Sequence, residues 1–152
     1  MVKKTIRWTI VVLWLGLIYC LSAQPAVDSK ELSSNTALWL MQWMELMFPQ
    51  WNIQSSDIHG PLRKMAHFIL YFVLGLLFAW SMHMEKGNRN KKALISAAFC
   101  FFYAMTDEFH QAFVPGRGAQ WADVMIDTIG SMLGVGLQWV IQRLRVERKK
   151  QN

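Results

Sequence analysis

Three short stretches hold most of the groups able to do chemistry in this 152-residue chain. The first is Arg63-Lys64 with His67. The second is Asp107-Glu108, His110-Gln111 and Arg117. The third is Asp123 with Asp127. A carboxylate beside a histidine can move protons, so Asp107, Glu108 and His67 are the catalytic candidates, the acid as general base and the imidazole as its partner. Lys64, His67, Gln111, Arg117, Asp123 and Asp127 are the ligand-binding candidates, because cations contact phosphate well and a planar guanidinium grips carboxylate or phosphate. A metal held by His67 and carboxylates is chemically reasonable, but no HExxH or CxxC-type spacing supports it, so no metal is assigned. The residues name no cofactor.

These groups stand out because of their neighbours, which are long apolar runs. Charge near hydrocarbon costs about 2.5–3.5 kcal/mol per group on insertion scales, so ionisable residues there are functional by default. A blander reading stands beside this one. The acids then cap helix ends in a water-facing loop, and His67 hydrogen-bonds a neighbouring helix. His110 faces headgroups, Arg117 is a counter-ion for Asp123 or Asp127, and Lys64 reaches up to the lipid surface.

The composition supports a membrane setting. It is 53% hydrophobic and 17% charged, against roughly 45–50% and about 25% in soluble domains. The net charge of +6 is not one basic face but three clusters, each beside an apolar run, which argues against nucleic acid and for membrane-flanking loops. Cys20 and Cys100 lie inside apolar runs and read as small buried hydrophobes.

The elements that must position the polar groups follow in order. Spans are expected over about 8–23, 65–84, 93–114 and 121–142, since a bilayer core of ~30 Å needs about 20 apolar residues. The first run follows Lys3, Lys4 and Arg7 and resembles a signal peptide, but Leu21 and Pro25 fit cleavage poorly, so it is read as retained. Residues 36–48 form a shorter Trp-rich stretch that ends before Pro49. It is expected to be a helix on the membrane surface or a lid on the bundle. The tail over 143–152 is basic and expected to be mobile.

Twelve of the 16 Lys and Arg residues lie in the N-terminus, the 85–92 loop and the tail. With four spans these share one side, so both termini are expected in the cytoplasm and the polar stretches outside. Helical spacing then sorts the side chains. Lys64, His67, Tyr71 and Gly75 make one stripe, Asp107 and Gln111 another, and Asp123, Asp127, Gly130 and Gly134 a third. Gly130 and Gly134 form a GxxxG pair, with Gly136 near, which suits close helix packing. The stripes lie at one depth and predict a shared polar pocket in the outer leaflet. Arg117, on the Pro115-Gly116 turn, is expected to contact an acid or a ligand phosphate there.

Arg63-Lys64-x-x-His67, Asp107-Glu108-x-His110-Gln111-x-x-x-Pro115-Gly116-Arg117 and Asp123-x-x-x-Asp127-x-x-Gly130 together resemble the VanZ-like family. The Ser22-Ala23-Gln24-Pro25 stretch is similar too. The resemblance implies a bacterial cell-membrane protein with one domain over residues 1–152. Its expected fold is all-α, a bundle of four transmembrane helices plus one short interfacial helix on the outer face. The family takes its name from a member that raises resistance to teicoplanin, and the resemblance supplies no biochemical activity.

Three functions compete. The first is binding or modification of a cell-envelope lipid or lipid-linked precursor, with a possible consequence for glycopeptide susceptibility. The second is an intramembrane enzyme using Asp107 or Glu108 with His67. The third is a small transporter or flippase, which four spans support poorly without oligomerisation. Oligomerisation is left open, and a membrane lipid or lipid-linked envelope component is the expected partner.

Overall fold

The computed structural model describes residues 2–25, 55–85 and 87–151, with side chains described over 2–25, 60–85 and 87–148. Four helices follow in order: α1 (Val2–Ser22), α2 (Ser55–Met82), α3 (Arg89–Gln111) and α4 (Trp121–Gln151). There is no strand among the described residues. The expected surface helix over 36–48 lies outside them.

The short connections over 83–88 and 112–120 make α2, α3 and α4 antiparallel neighbours. Two sets of contacts orient α1. Near its start, Arg7 Nη1 donates to the Trp80 carbonyl at 3.1 Å and its guanidinium lies 4.2 Å from the Trp80 ring centroid. At its far end, Ser22 reaches Asp107 of α3. α1 therefore runs parallel to α3 and antiparallel to α2. One end of the bundle collects the end of α1, the beginning of α4, the end of α3 and the first half of α2.

The bundle is inverted relative to a soluble one. Along α4, Asp123, Asp127, Thr128, Ser131, Gln138 and Gln142 are buried, while Met125, Ile129, Met132, Leu133, Leu137, Val140 and Leu144 are exposed. α3 likewise exposes Leu94, Ile95, Phe102 and Phe109 and buries Ser96, Asp107, Glu108 and Gln111. Large apolar side chains on the outside with polar ones inside is what a lipid solvent selects. By length and composition, α1, residues 60–82 of α2 and residues 121–148 of α4 are able to cross a membrane. α3 has 23 residues, about 34 Å of helix. Its ends are too charged for it to join them on composition, with Arg89, Lys91 and Lys92 at one end and Asp107 and Glu108 at the other.

Close approach of α2 and α4 rests on glycine. A Cβ on Gly134 meets the Phe72 carbonyl oxygen at 2.1 Å, and one on Gly75 meets the Ser131 carbonyl oxygen at 2.2 Å. Both obstacles are backbone, so neither can step aside. The packing expected of Gly134 is thus present, whereas a Cβ on Gly136 meets nothing within 4 Å. An apolar layer of Val11, Ile18, Leu74, Phe78 and Cys100 fills the middle. In it Phe78 stacks on Phe99 with centroids 4.2 Å apart.

Two helices overrun their apolar spans. α2 begins at Ser55 rather than near 65 and carries Pro61 inside. The proline removes one backbone donor but does not end the helix. α4 continues through the basic tail to Gln151, where Arg143 and Glu147 pair at 3.0 Å across one turn. The tail over 143–151, expected to be mobile, is helical. A helix whose backbone bonds are already satisfied has no reason to stop at the edge of its hydrocarbon run.

Candidate functional site

The polar stretches meet at one end of the bundle because each lies on the inner face of its helix. On α3, Asp107 and Glu108 diverge by one residue's rotation, about 100°. Asp107 turns to α1, where Ser22 Oγ donates to its Oδ2 at 2.8 Å. Gln111, one turn further, donates through Nε2 to the same Oδ2 and to Ser22 Oγ, each at 3.4 Å. Glu108 turns to the chain entering α4, where the backbone N–H of Gln120 donates to its Oε1 at 2.6 Å. Its Oε2 is buried without a partner.

The connection between α3 and α4 is shaped by Val114-Pro115-Gly116-Arg117. The Arg117 N–H donates to the Val114 carbonyl at 3.1 Å, and Gly116 has φ 75°. This is a type II turn, in which proline presets the second position and the third needs a positive φ. The turn sends Arg117 toward α1. Its Nη1 donates to Gln111 Oε1 at 3.3 Å and its Nη2 to the Leu21 carbonyl at 3.5 Å. Burial holds its guanidinium below the ordinary arginine range, and Arg63 nearby pushes the same way. The contact expected between Arg117 and an acid is not made. Gln111 stands between Arg117 and Asp107, and Asp123 is already served from α2.

That service comes from the start of the Arg63-Lys64-His67 stripe. Arg63 Nη2 lies 3.5 Å from Asp123 Oδ2, and Lys64 Nζ lies 3.8 Å from Asp123 Oδ1. Both cations are partly open to the surroundings, so the pairs are long and weak. One turn deeper, His67 Nδ1 faces Asp127 Oδ2 at 3.4 Å. Donor atoms of His67, Asp107 and Asp127 all lie within 4.8 Å of one another. His67 therefore faces the bundle interior and α3. The sequence shows no metal spacing here because the three residues come from three different helices.

His110 does not join the cluster. Its ring stacks on Tyr19 of α1, centroids 4.8 Å apart. Two contributors were missed. Ser22 is a lone hydroxyl at the end of an apolar run, and its signal was the family-like Ser22-Ala23-Gln24-Pro25 stretch. Tyr71 lies on the His67 stripe, and its fully buried hydroxyl has Asp107 and Asp127 as neighbours.

Beside the cluster is an apolar recess of about 220 Å³ between α3 and α4. Met105, Phe109, Trp121 and Val124 line it, and Glu108 with Gln120 forms its polar end. Phe109 and Trp121 are 68% and 76% exposed, so the recess opens on the outer face of α3 and α4.

No curated protein and no solved structure matches the chain. The VanZ/LLP1 family model matches residues 7–142, a range that includes every residue of the cluster, the recess and the turn above them. With most of its length matched and three helices fit to cross a bilayer, this chain is a membrane protein of the VanZ/LLP1 family.

Proposed function

We propose that the protein binds or modifies an envelope lipid, or a lipid-linked envelope precursor, in the outer leaflet. In this reading α3 is the fourth span, both termini are cytoplasmic, and the cluster faces outward. Twelve of the 16 basic residues then lie on the inner side, as the positive-inside rule requires. A burden of charge at the ends of α3 is tolerable when the acids turn inward and the bases reach the interface.

The observation that carries the reading is the side-opening recess ending at Glu108. An acyl or isoprenyl chain lies along Met105, Phe109, Trp121 and Val124. The headgroup reaches the polar end, where the free Glu108 Oε2 accepts from a hydroxyl or amine. Arg63 and Lys64, each only loosely paired with Asp123, suit a phosphate on the same headgroup. An effect on glycopeptide susceptibility follows if the bound lipid belongs to the wall precursor pool.

The test is cross-linking in native membranes from a photoreactive residue at Phe109, with the captured lipids identified by mass spectrometry. One lipid class enriched over the bulk membrane, and reduced by Glu108→Gln, is the expected result. A cross-linked profile equal to the bulk profile overturns the reading. An enzyme is the second reading, favoured by His67 facing Asp127 at 3.4 Å. It predicts near-complete loss of lipid turnover in Asp107→Asn, where a binder shows a graded loss.

A further inference from the structure

We propose that His67, Asp107 and Asp127 bind a first-row divalent cation, Zn²⁺ or Mn²⁺, at the junction of α2, α3 and α4. The three residues each offer a donor atom, all within 4.8 Å of one another. Tetrahedral bonds of about 2.1 Å set donor atoms about 3.4 Å apart, so the widest pair closes by at most about 1.4 Å when the ion binds. The His67 Nδ1–Asp127 Oδ2 separation is 3.4 Å. That is long for a charge-assisted hydrogen bond, which runs to about 2.7–2.9 Å. It equals the edge of a tetrahedron with bonds of about 2.1 Å.

Charge makes the second argument. Asp107 and Asp127 are 5% and 1% exposed. Among the described residues, none of the three cations at this end touches either acid. Arg63 and Lys64 pair with Asp123, and Arg117 goes to Gln111 and Leu21. Among the described residues the basic group against them is the His67 imidazole, which faces Asp127 and is charged only when protonated, and two buried carboxylates sharing at most that one charge are costly. A dication bound between them supplies the missing counter-charge.

An unused polar atom makes the third. Asp127 Oδ1 is buried and has no partner. The Tyr71 hydroxyl is fully buried beside it, with Asp107 and Asp127 as its acidic neighbours. Native proteins rarely leave such atoms idle without a ligand, ion or water. Ser22 and Gln111 meanwhile fix Asp107 through Oδ2 alone, the outer-shell support that metal carboxylates ordinarily have.

The donor set selects the ion. One imidazole with two carboxylates fits Zn²⁺ or Mn²⁺, while Ca²⁺ and Mg²⁺ favour oxygen alone. Three protein ligands leave a coordination position open. A phosphate oxygen of the bound lipid fits that position; this last step rests on the proposed lipid reading, and the ion itself does not.

The full-length protein in lipid-free detergent, stripped with EDTA, is titrated with zinc chloride or manganese chloride. Bound metal is then counted by mass spectrometry. One ion per chain is expected. Asp127→Asn and His67→Gln lower the affinity by at least about 100-fold, since even outer-shell changes cost about 10- to 100-fold. Glu147→Gln, which removes a carboxylate from the exposed end of α4, leaves uptake unchanged. Helical circular dichroism and gel filtration check that each variant is folded. If a variant does not fold, the count on the stripped, folded wild type decides alone. Failure of that wild type to take up either ion overturns the proposal, and so does wild-type affinity in both folded variants. Because no lipid is present, the outcome is independent of the cross-linking experiment at Phe109.

Discussion

Ser22, the last residue of α1, donates to Asp107 on α3 across 2.8 Å. This bond joins helices 85 residues apart in sequence. It is also the anchor of a chain of contacts. Gln111 donates to both partners, and Arg117 donates to Gln111 and to the carbonyl of Leu21. The first helix is thereby part of the candidate site rather than only a membrane anchor beside it.

Ser22→Ala removes the shorter of the hydrogen bonds from Ser22 and Gln111 to the buried Asp107 carboxylate. The expected cost is about 1–2 kcal/mol, between the value for bonds to charged groups in water and the smaller values measured in membrane helices. Thermal unfolding in detergent measures it. An unchanged midpoint shows that Gln111 alone satisfies Asp107.

Gly134→Ala should be destabilising and Gly136→Ala should not. The added Cβ at Gly134 meets backbone atoms of α2, Phe72 O at 2.1 Å and Leu76 N at 2.9 Å, whereas at Gly136 it meets open space. Overpacking of this kind costs about 1–3 kcal/mol. The yield of folded protein and its melting temperature compare the two. Equal behaviour removes the close crossing of α2 and α4.

Which parts of this were legible in the sequence follows from helical periodicity. Asp107 with Gln111, and Asp123 with Asp127, are spaced by one turn, so each pair had to share a face. Their burial then followed from the cost of charge at a lipid surface. Ser22 had no periodic partner, and its role depends on where α1 stands relative to α3. The target of Arg117 depended on the direction of the turn, which Gly116 and Pro115 set only together. The cluster of His67, Asp107 and Asp127 is a relation among three helices, and spacing along one chain cannot express it. The helices run past the apolar runs because hydropathy marks where lipid stops, not where backbone hydrogen bonding stops.

Glu85 gives a pH-dependent prediction at the opposite end. Lys4 Nζ lies 2.8 Å from its carboxylate and Trp8 Nε1 donates to it at 3.3 Å. The Lys4 contact, foremost, holds the Glu85 carboxyl below its ordinary value of 4.5. The folded state thus binds the proton less readily than the unfolded one. The stabilisation is complete above the unfolded value and is lost as pH falls through the folded value. Glu85→Gln should therefore melt lower than wild type near pH 6, and the difference should shrink toward pH 3. A difference independent of pH shows that the ion pair adds nothing.

Orientation is the last prediction. The N-terminal basic residues, the 85–92 loop and the tail carry twelve of the 16 Lys and Arg. The structure gathers these segments at one end. Lys4 pairs with Glu85, Arg7 covers Trp80, and Arg89 and Arg143 both approach the Trp139 ring, at 4.5 and 5.8 Å. Basic side chains packed on tryptophan are what an interface favours, since the ring belongs at headgroup depth and the cation beside lipid phosphate. Only Lys30, Arg63, Lys64 and Arg117 remain elsewhere, and Arg63, Lys64 and Arg117 surround the cluster at the other end. In the proposed orientation this asymmetry puts the 85–92 loop in the cytoplasm and the cluster outside. In a background lacking Cys20 and Cys100, Asn88→Cys should resist a membrane-impermeant thiol reagent in intact cells and react after permeabilisation. Gly118→Cys, exposed on the α3–α4 connection, should react in intact cells. The reverse pattern turns the protein over and puts the cluster in the inner leaflet, where it meets cytoplasmic ligands instead of envelope lipids.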